Sequence, residues 1–410
     1  MITKTHKYFN QLTRQALIDK VDGYVNKTKS LSLEIARIKG KYGLEKIYRF
    51  DLGENVDGFS GKVKEYLSCI NYNQHFINDL NEYPDITHRI FREEIASLYN
   101  ISRDQIVIST GLDSILDLIS RVFFDNKDTY VMPVPDFFLF ENYSERMGAI
   151  PLFLNLNEIT EFTWTQQTVN QFRDLIERFR PKLVWLSNPC NPTGKIITND
   201  IINQLVEITN RNNVFIVIDE AYGEYMKNHL DSSVQLINRY KNLMVLRTFS
   251  KAYGLAGIRL GYMMSSSKDI VNAMLMHRQY FPATKLAIQM ASVAMRDQKF
   301  IEQTRYNVIR RKEVLFQKMD KLLSFSYIRS DINIFMLRNK YLSNAKLKSI
   351  FKQYGIFTSL VTISENDEDN YLRITIKKST DNEYFIQICR LIEKELLQSV
   401  NRKDFNFSYS

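Results

Sequence analysis

Short, uninterrupted apolar runs alternate with longer stretches of helical spacing from about residue 86 to 286. "QIVIST" (105–110), "TYVMPV" (129–134), "AIPLFLNL" (149–156), "KLVWLS" (182–187), "VFIVID" (214–219), "LMVLRT" (243–248) and "RLGYMM" (259–264) predict strands. "THRIFREEIASLYN" (87–100), "LDSILDLISRVFF" (112–124) and "TNDIINQLVEITNRNN" (198–213) carry apolar residues at helical spacing and predict helices between them. Strands that are apolar at every position must be covered on both faces, so the pattern predicts an α/β protein with a mostly parallel sheet sandwiched by helices. In such sheets ligands gather beyond the carboxyl ends of the strands, which directs attention to the loops that follow them.

The texture changes after about residue 290. A long charged helix, "QKFIEQTRYNVIRRKEVLFQKMDKLL" (298–323), precedes "INIFML", another helix, "YLRITI" and a last helix, which predicts a smaller α+β domain. The expected organisation is a helical N-terminal segment at 1–48, including "LSLEIARIKGKYGLEKIYRF" (31–50), and a large domain at 86–289. A small domain would be made from 49–85 and 290–400, with a loose tail at 401–410.

Composition narrows the classes. The chain has 410 residues, 44% hydrophobic and 25% charged, enough for a sizeable core. Its 55 Lys and Arg exceed 46 Asp and Glu by nine, but they are interspersed with acids, so no basic arm for nucleic acid stands out. Cys69, Cys190 and Cys389 form no CxxC pair and no HExxH occurs, which argues against a disulfide framework and a metal site. No signal-like stretch opens the chain and no apolar run spans a bilayer, so a cytoplasmic protein without membrane contact is expected.

The strand ends carry the chemistry. After "QIVIST", Gly111 starts a helix whose first amides, of Leu112 and Asp113, suit a phosphate. "PVPDFFLFENY" (133–143) offers Phe137 as a surface for stacking on an aromatic ring. "SNPCNPTG" (187–194) is a rigid turn that can aim Asn191. "VIDEAYGEY" (217–225) ends an apolar strand in Asp219, a half-buried acid that needs a cation, or else caps the next turn; Tyr222 follows three residues on. "RTFSKAYGLAGIRLGY" (247–262) sets Thr248, Ser250 and Arg259 around Lys251: hydroxyls and a guanidinium for a phosphate dianion, and an amine for an aldehyde. Together these describe a pyridoxal 5′-phosphate site. Asp219 keeps the ring nitrogen protonated, Tyr222 and Asn191 hydrogen-bond the phenolic oxygen, Phe137 stacks on the ring, and Lys251 forms an imine with the aldehyde.

In this order the motifs resemble the class I/II aminotransferases of fold type I, closest to the histidinol-phosphate aminotransferase branch. The resemblance runs over about residues 51–376, most specifically in "NPCNPTG", "DEAYGEY" and "SKAYGLAGIRLGY". It implies a homodimer, with Tyr83 of "NEYPD" reaching the other subunit's cofactor phosphate. It also implies that Arg373 of "YLRITI" grips the substrate carboxylate, with Asn333 nearby and Glu54 and Asn55 of "LGEN" closing over it. The implied reaction is transamination between an amino acid and a 2-oxo acid, with Lys251 as general acid and base. α-Decarboxylation and oxidase-like deamination on the same cofactor are the alternatives. One departure concerns the substrate. The branch carries an arginine for the substrate phosphate after its "YGI" segment, whereas "YGIFTSLV" (354–361) offers Thr358 and Ser359, which suits an amino acid with a neutral or basic side chain.

Overall fold

A computed structural model describes residues 31–70, 79–226, 232–363 and 370–405. Residues 1–30 of the expected N-terminal segment and 406–410 of the expected tail lie outside them. The chain opens with α1 (Leu31–Tyr42), β1 (Tyr48–Arg49), α2 (Gly61–Cys69) and α3 (Arg89–Tyr99). Next come β2 (Ile106–Ser109), α4 (Gly111–Phe123), β3 (Thr129–Val134), α5 (Leu139–Arg146) and β4 (Ile150–Asn155). They are followed by α6 (Gln166–Phe179), β5 (Leu183–Ser187), α7 (Asn199–Arg211), β6 (Phe215–Asp219), β7 (Leu243–Thr248) and β8 (Gly261–Met264). The seven strands form one sheet in the order β2-β8-β7-β6-β5-β3-β4, parallel except for β8, which runs antiparallel to both neighbours.

The side-chain period of two explains the unbroken apolar runs. Val184, Leu186, Ile216, Ile218 and Val245 pack on one face, with Phe91, Val169, Phe172 and Leu205 from α3, α6 and α7. Leu183, Trp185, Val217, Met244 and Leu246 pack on the other, with Leu112, Ile115, Ile119 and Met274. Each such aliphatic side chain contributes about 1.5–3 kcal/mol by leaving water.

Past β8 come α8 (Lys268–His277), α9 (Lys285–Met295) and α10 (Gln298–Met319). The remaining elements are β9 (Phe325–Ile328), β10 (Ile334–Asn339), α11 (Asn344–Gln353), β11 (Ile356–Phe357), β12 (Ser359–Val361), β13 (Tyr371–Thr375) and α12 (Ser379–Phe405). β12-β13-β10-β9 form an antiparallel sheet, and β1 pairs with β11 in parallel. Phe50, Leu315, Phe316, Phe335, Leu372 and Phe385 share the core of this smaller unit. α10 crosses between cores: Ile301 and Val308 pack with the large sheet, Leu315 and Met319 with the small one.

Two local expectations change. The helix expected through residue 50 closes at Tyr42, where Gly43 takes φ 64° and the Leu44 amide donates to the Lys39 carbonyl at 3.0 Å. Tyr48 and Arg49 then extend as strand instead. At the other end α12 continues through Phe405, so the first half of the stretch expected as a tail is helical. Among the described residues, no helix is long and apolar enough to cross a membrane.

Candidate active site

The carboxyl ends of β5, β6 and β7 lie side by side, with Ser187 in register with Asp219 and Asp219 with Leu246. Asp219 is 3% exposed and accepts the Ala221 amide at 2.9 Å. Burial pushes its carboxyl up to about 7, against the pull of that amide and of the Lys251 charge; Glu220 and Asp113 push it higher. Tyr222 is buried on the following turn, and its hydroxyl has no hydrogen-bond partner. Gly53 passes so close that a Cβ there would lie 2.5 Å from that hydroxyl, so the 51–55 arm covers Tyr222 only because a glycine stands at 53. The turn itself is anchored by a buried ion cluster. Arg247 donates to Glu220 from Nε at 2.9 Å and to Glu224 from Nη1 at 2.9 Å.

Lys251 reaches the same space from the loop after β7. Its Nζ donates to the Leu52 carbonyl at 2.9 Å and stands 5.2 Å from the Tyr222 ring centre. The Thr248 and Ser250 hydroxyls lie 3.0 Å apart at the strand end. Arg259 pairs with Asp113 at 3.3 Å in the first turn of α4, and its Nη2 lies 2.7 Å from where a Cβ on Gly111 would stand. A guanidinium is thus laid on a helix N-terminus. Leu112, also at that terminus, buries its side chain in the core, so only its backbone is available to a ligand.

On the small-unit side, Arg373 donates from Nη1 to Asn191 Oδ1 at 2.6 Å and from Nη2 to the Asp51 carbonyl at 2.6 Å. Its Nε is buried without a partner. Asn333 donates to the carbonyls of Gly53 at 3.3 Å and Glu54 at 3.4 Å, and Asn55 donates to the Ala252 carbonyl at 2.7 Å. The Glu54 residue itself is exposed. The arm is therefore fastened to both units. Ser359 pairs across the ladder with Arg373 and donates to the Asp51 carbonyl at 2.8 Å; the Thr358 hydroxyl is buried and unpartnered.

Two further expected residues carry aromatic neighbours: Phe137 beside the Asp136–Ser187 contact, and Tyr83 on a cleft it shares with Thr110 and Arg259. Phe137 is partly buried and meets Phe138 and Phe140 edge to face, at 5.4 and 5.6 Å. Tyr83 is 77% exposed and stacks on Phe281 with ring centres 4.3 Å apart. The sequence reading also passed over Asp136, which accepts from Ser187 and Phe137 at the end of β3. The signal was available: Asp136 is a carboxylate two residues past the end of an apolar strand.

These residues fit pyridoxal phosphate on their own chemistry. A buried acid without a guanidinium awaits a ring N–H, an orphaned phenol awaits an oxygen acceptor, an amine stands beside both, and hydroxyls with a guanidinium wait at a helix N-terminus. Fold and site define a pyridoxal-phosphate-dependent transferase of fold type I. Residues 53–388 match the family described as aminotransferase class I and II, and the chain belongs to that family. It is 31% identical over 360 residues to the histidinol-phosphate aminotransferase of Caldanaerobacter subterraneus subsp. tengcongensis, covering 87% of this chain and 97% of the relative. It is 29% identical to the namesake from Methanocaldococcus jannaschii, over 87% of this chain and 91% of that one. The histidinol-phosphate aminotransferase of Sinorhizobium meliloti, solved in complex with pyridoxal-5′-phosphate, superposes with a TM-score of 0.77 at 18% identity, covering 90% of this chain and 98% of that one. The activity is pyridoxal-phosphate-dependent transamination between an amino acid and a 2-oxo acid.

Proposed function

We propose that Lys251 is the catalytic amine of this transaminase and that its substrate is an amino acid with a neutral or basic side chain. The observation that carries the reading is the convergence of Lys251, buried Asp219 and the orphaned Tyr222 hydroxyl under the 51–55 arm. Asp219 holds the ring nitrogen, Tyr222 and Asn191 the phenolic oxygen, and Phe137 the ring face. Leu112 and Asp113 by their amides, with Thr248, Ser250 and Arg259, hold the phosphate. When bound, the cofactor supplies an aldehyde for the amino group and a protonated ring that stabilises the electron pair left at Cα. Lys251 Nζ accepts the proton leaving Cα and later donates it again, while Arg373 orients the carboxylate through its planar fork, with Asn333 steadying the arm. Glu54 and Asn55 close that arm over the substrate.

Thr358 and Ser359 support the substrate class. Two hydroxyls do not balance a phosphate dianion as a guanidinium does, so histidinol phosphate is the weaker candidate despite the relatives' names. The exposed rings of Tyr83 and Tyr280 and side chains of Met276 and Ile90 support a homodimer in which Tyr83 serves the other subunit's site. The proposed division is the large unit at 86–289, the small unit at 49–85 and 290–400 with α10 as the hand-over helix, and flanking segments at 1–48 and 401–410.

The test is a donor screen. The cofactor-loaded protein is mixed with single amino acids and pyruvate, 2-oxoglutarate or imidazole-bearing oxo acids, and stoichiometric amino exchange is followed by NMR. Carbon dioxide release or oxygen uptake without exchange would replace transamination by decarboxylation or oxidation. A kcat/KM for histidinol phosphate above that of every amino acid would overturn the substrate class.

A further inference from the structure

Asp136 sits just beyond β3, with its carboxyl turned onto the end of β5. It accepts the Ser187 amide on Oδ2 at 3.2 Å, the Phe137 amide on Oδ1 at 2.7 Å, and the Ser187 hydroxyl proton on Oδ1. With its O–H donated to the carboxylate, the Ser187 oxygen uses a lone pair to accept the Asn191 backbone N–H at 3.0 Å. Asn191 in turn accepts from Arg373 at 2.6 Å. Contacts thus link Asp136 through Ser187 to the Asn191 backbone, and the Asn191 side chain to Arg373. The middle members of this chain of contacts are buried, where a lost hydrogen bond is not replaced by water.

The geometry points to Asp136 as a positioning residue for the site proposed above: through Ser187 it sets the Asn191 turn, and through Asn191 the fork of Arg373. The inference rests on the reading of Arg373 as the carboxylate anchor. In its ionised form Asp136 is suited to the job because a carboxylate only accepts, so three donors can converge on it and the Ser187 hydroxyl has a single direction to point. An asparagine of the same shape has one accepting oxygen, and its amide would face the Ser187 N–H donor to donor. The chain also ties the Phe137 turn to the Asn191 turn, so two strand-end loops are clipped by one side chain.

The experiment compares wild type with Asp136→Asn, Ser187→Ala and the double variant, all loaded with pyridoxal phosphate. Burial and the neighbouring Asp219 push the Asp136 carboxyl up to about 8, so the assays are run at pH 9, where it is an acceptor-only anion. The readouts are KM and kcat for the best donor, the dissociation constant of the cofactor from its absorbance, and the melting temperature of the cofactor-free protein. Each single variant is expected to raise KM about tenfold or more, with a smaller loss of cofactor affinity, because Asn191 and Phe137 also face the cofactor, and a smaller change in kcat. The double variant is expected to be no worse than the more severe single one, because both cut the same chain. Unchanged KM, multiplying effects in the double variant, or losses that merely track the melting temperature would overturn the inference. A wild type that bound no cofactor or exchanged no amino groups would instead overturn the proposed function.

Discussion

Lys251 donates from Nζ to the backbone carbonyl of Leu52 at 2.9 Å, so the lone lysine of the 247–262 loop is tied to the arm and not to a carboxylate. A carbonyl solvates the ammonium without neutralising it, and a ligand carbonyl can displace that contact. Lys251→Ala and Lys251→Arg are expected to lower kcat by at least about 10³-fold, since nucleophile and proton carrier are lost together. The arginine variant matters because it keeps the charge but cannot act as the nucleophile. Steady-state rates, with absorbance spectra of the loaded variants, check this; a Lys251→Arg protein within tenfold of wild type would remove the amine from the mechanism.

Asp219 links the site to pH. Its carboxyl in the folded protein is raised to about 7 by burial, against about 3.9 in an unfolded chain. Between those values the folded state holds a proton that the unfolded chain has released, so stability is greatest at the acid end and declines as pH rises towards 7. Asp219→Asn cannot titrate. The stability advantage of cofactor-free wild type over this variant is therefore expected to shrink steadily from pH 5 to pH 8, measured by urea unfolding. A gap that widens with pH would show that Asp219 is held ionised. With pyridoxal phosphate present, a ring N–H supplies the missing partner, and wild type alone is expected to gain affinity at neutral pH.

Arg247 anchors the turn that carries Tyr222 from within a buried ion cluster. It is enclosed with Glu220 and Glu224, and the Ser232 hydroxyl and Ser233 amide also donate to Glu220, at 2.7 and 2.6 Å. Arg247→Met would leave two buried carboxylates without their cation, at a cost of about 3–5 kcal/mol. Because this cluster carries the turn that aims Tyr222, the variant is expected to lose cofactor affinity as well as denaturant resistance. Urea midpoints and cofactor titration measure the two separately; a loss under about 1 kcal/mol would mean that the carboxylates take up protons at little cost.

The large sheet was legible because both its faces are buried: β5, β6 and β7 are apolar up to their carboxyl ends, where Ser187, Asp219, Arg247 and Thr248 stand, and such short unbroken runs mark strands. Asp219 was legible as a site candidate because it ends such a run with a group that apolar surroundings penalise, and Lys251 and Tyr222 because they lie in the loop and turn just past the ends of β7 and β6. β1 and β11 were not, since two-residue strands carry no period and exist only through pairing between residues about 300 apart in sequence. Asp136 was overlooked for a different reason. Its meaning lies in Ser187 and Asn191, which the chain brings to it from some 50 residues away, and a single sequence shows no such contact.

Arg373 and Ser359 stand directly opposite each other on β13 and β12, where side chains on one face of an antiparallel pair are neighbours. Position 359 therefore offers a hydroxyl beside the Arg373 guanidinium. Arg373→Gln removes the fork and is expected to lower kcat/KM for amino acids about 10- to 100-fold, the span of one charged hydrogen-bonded contact. Ser359→Arg places like charges side by side, which costs stability unless a dianion bridges them. The variant is thus expected to melt below wild type in chloride, to recover with millimolar inorganic phosphate more than wild type does, and to gain turnover of histidinol phosphate at the expense of neutral amino acids. Thermal melts with and without phosphate, and a two-substrate competition, decide it. A Ser359→Arg protein indifferent to phosphate would show that position 359 lies outside the reach of the substrate's side chain.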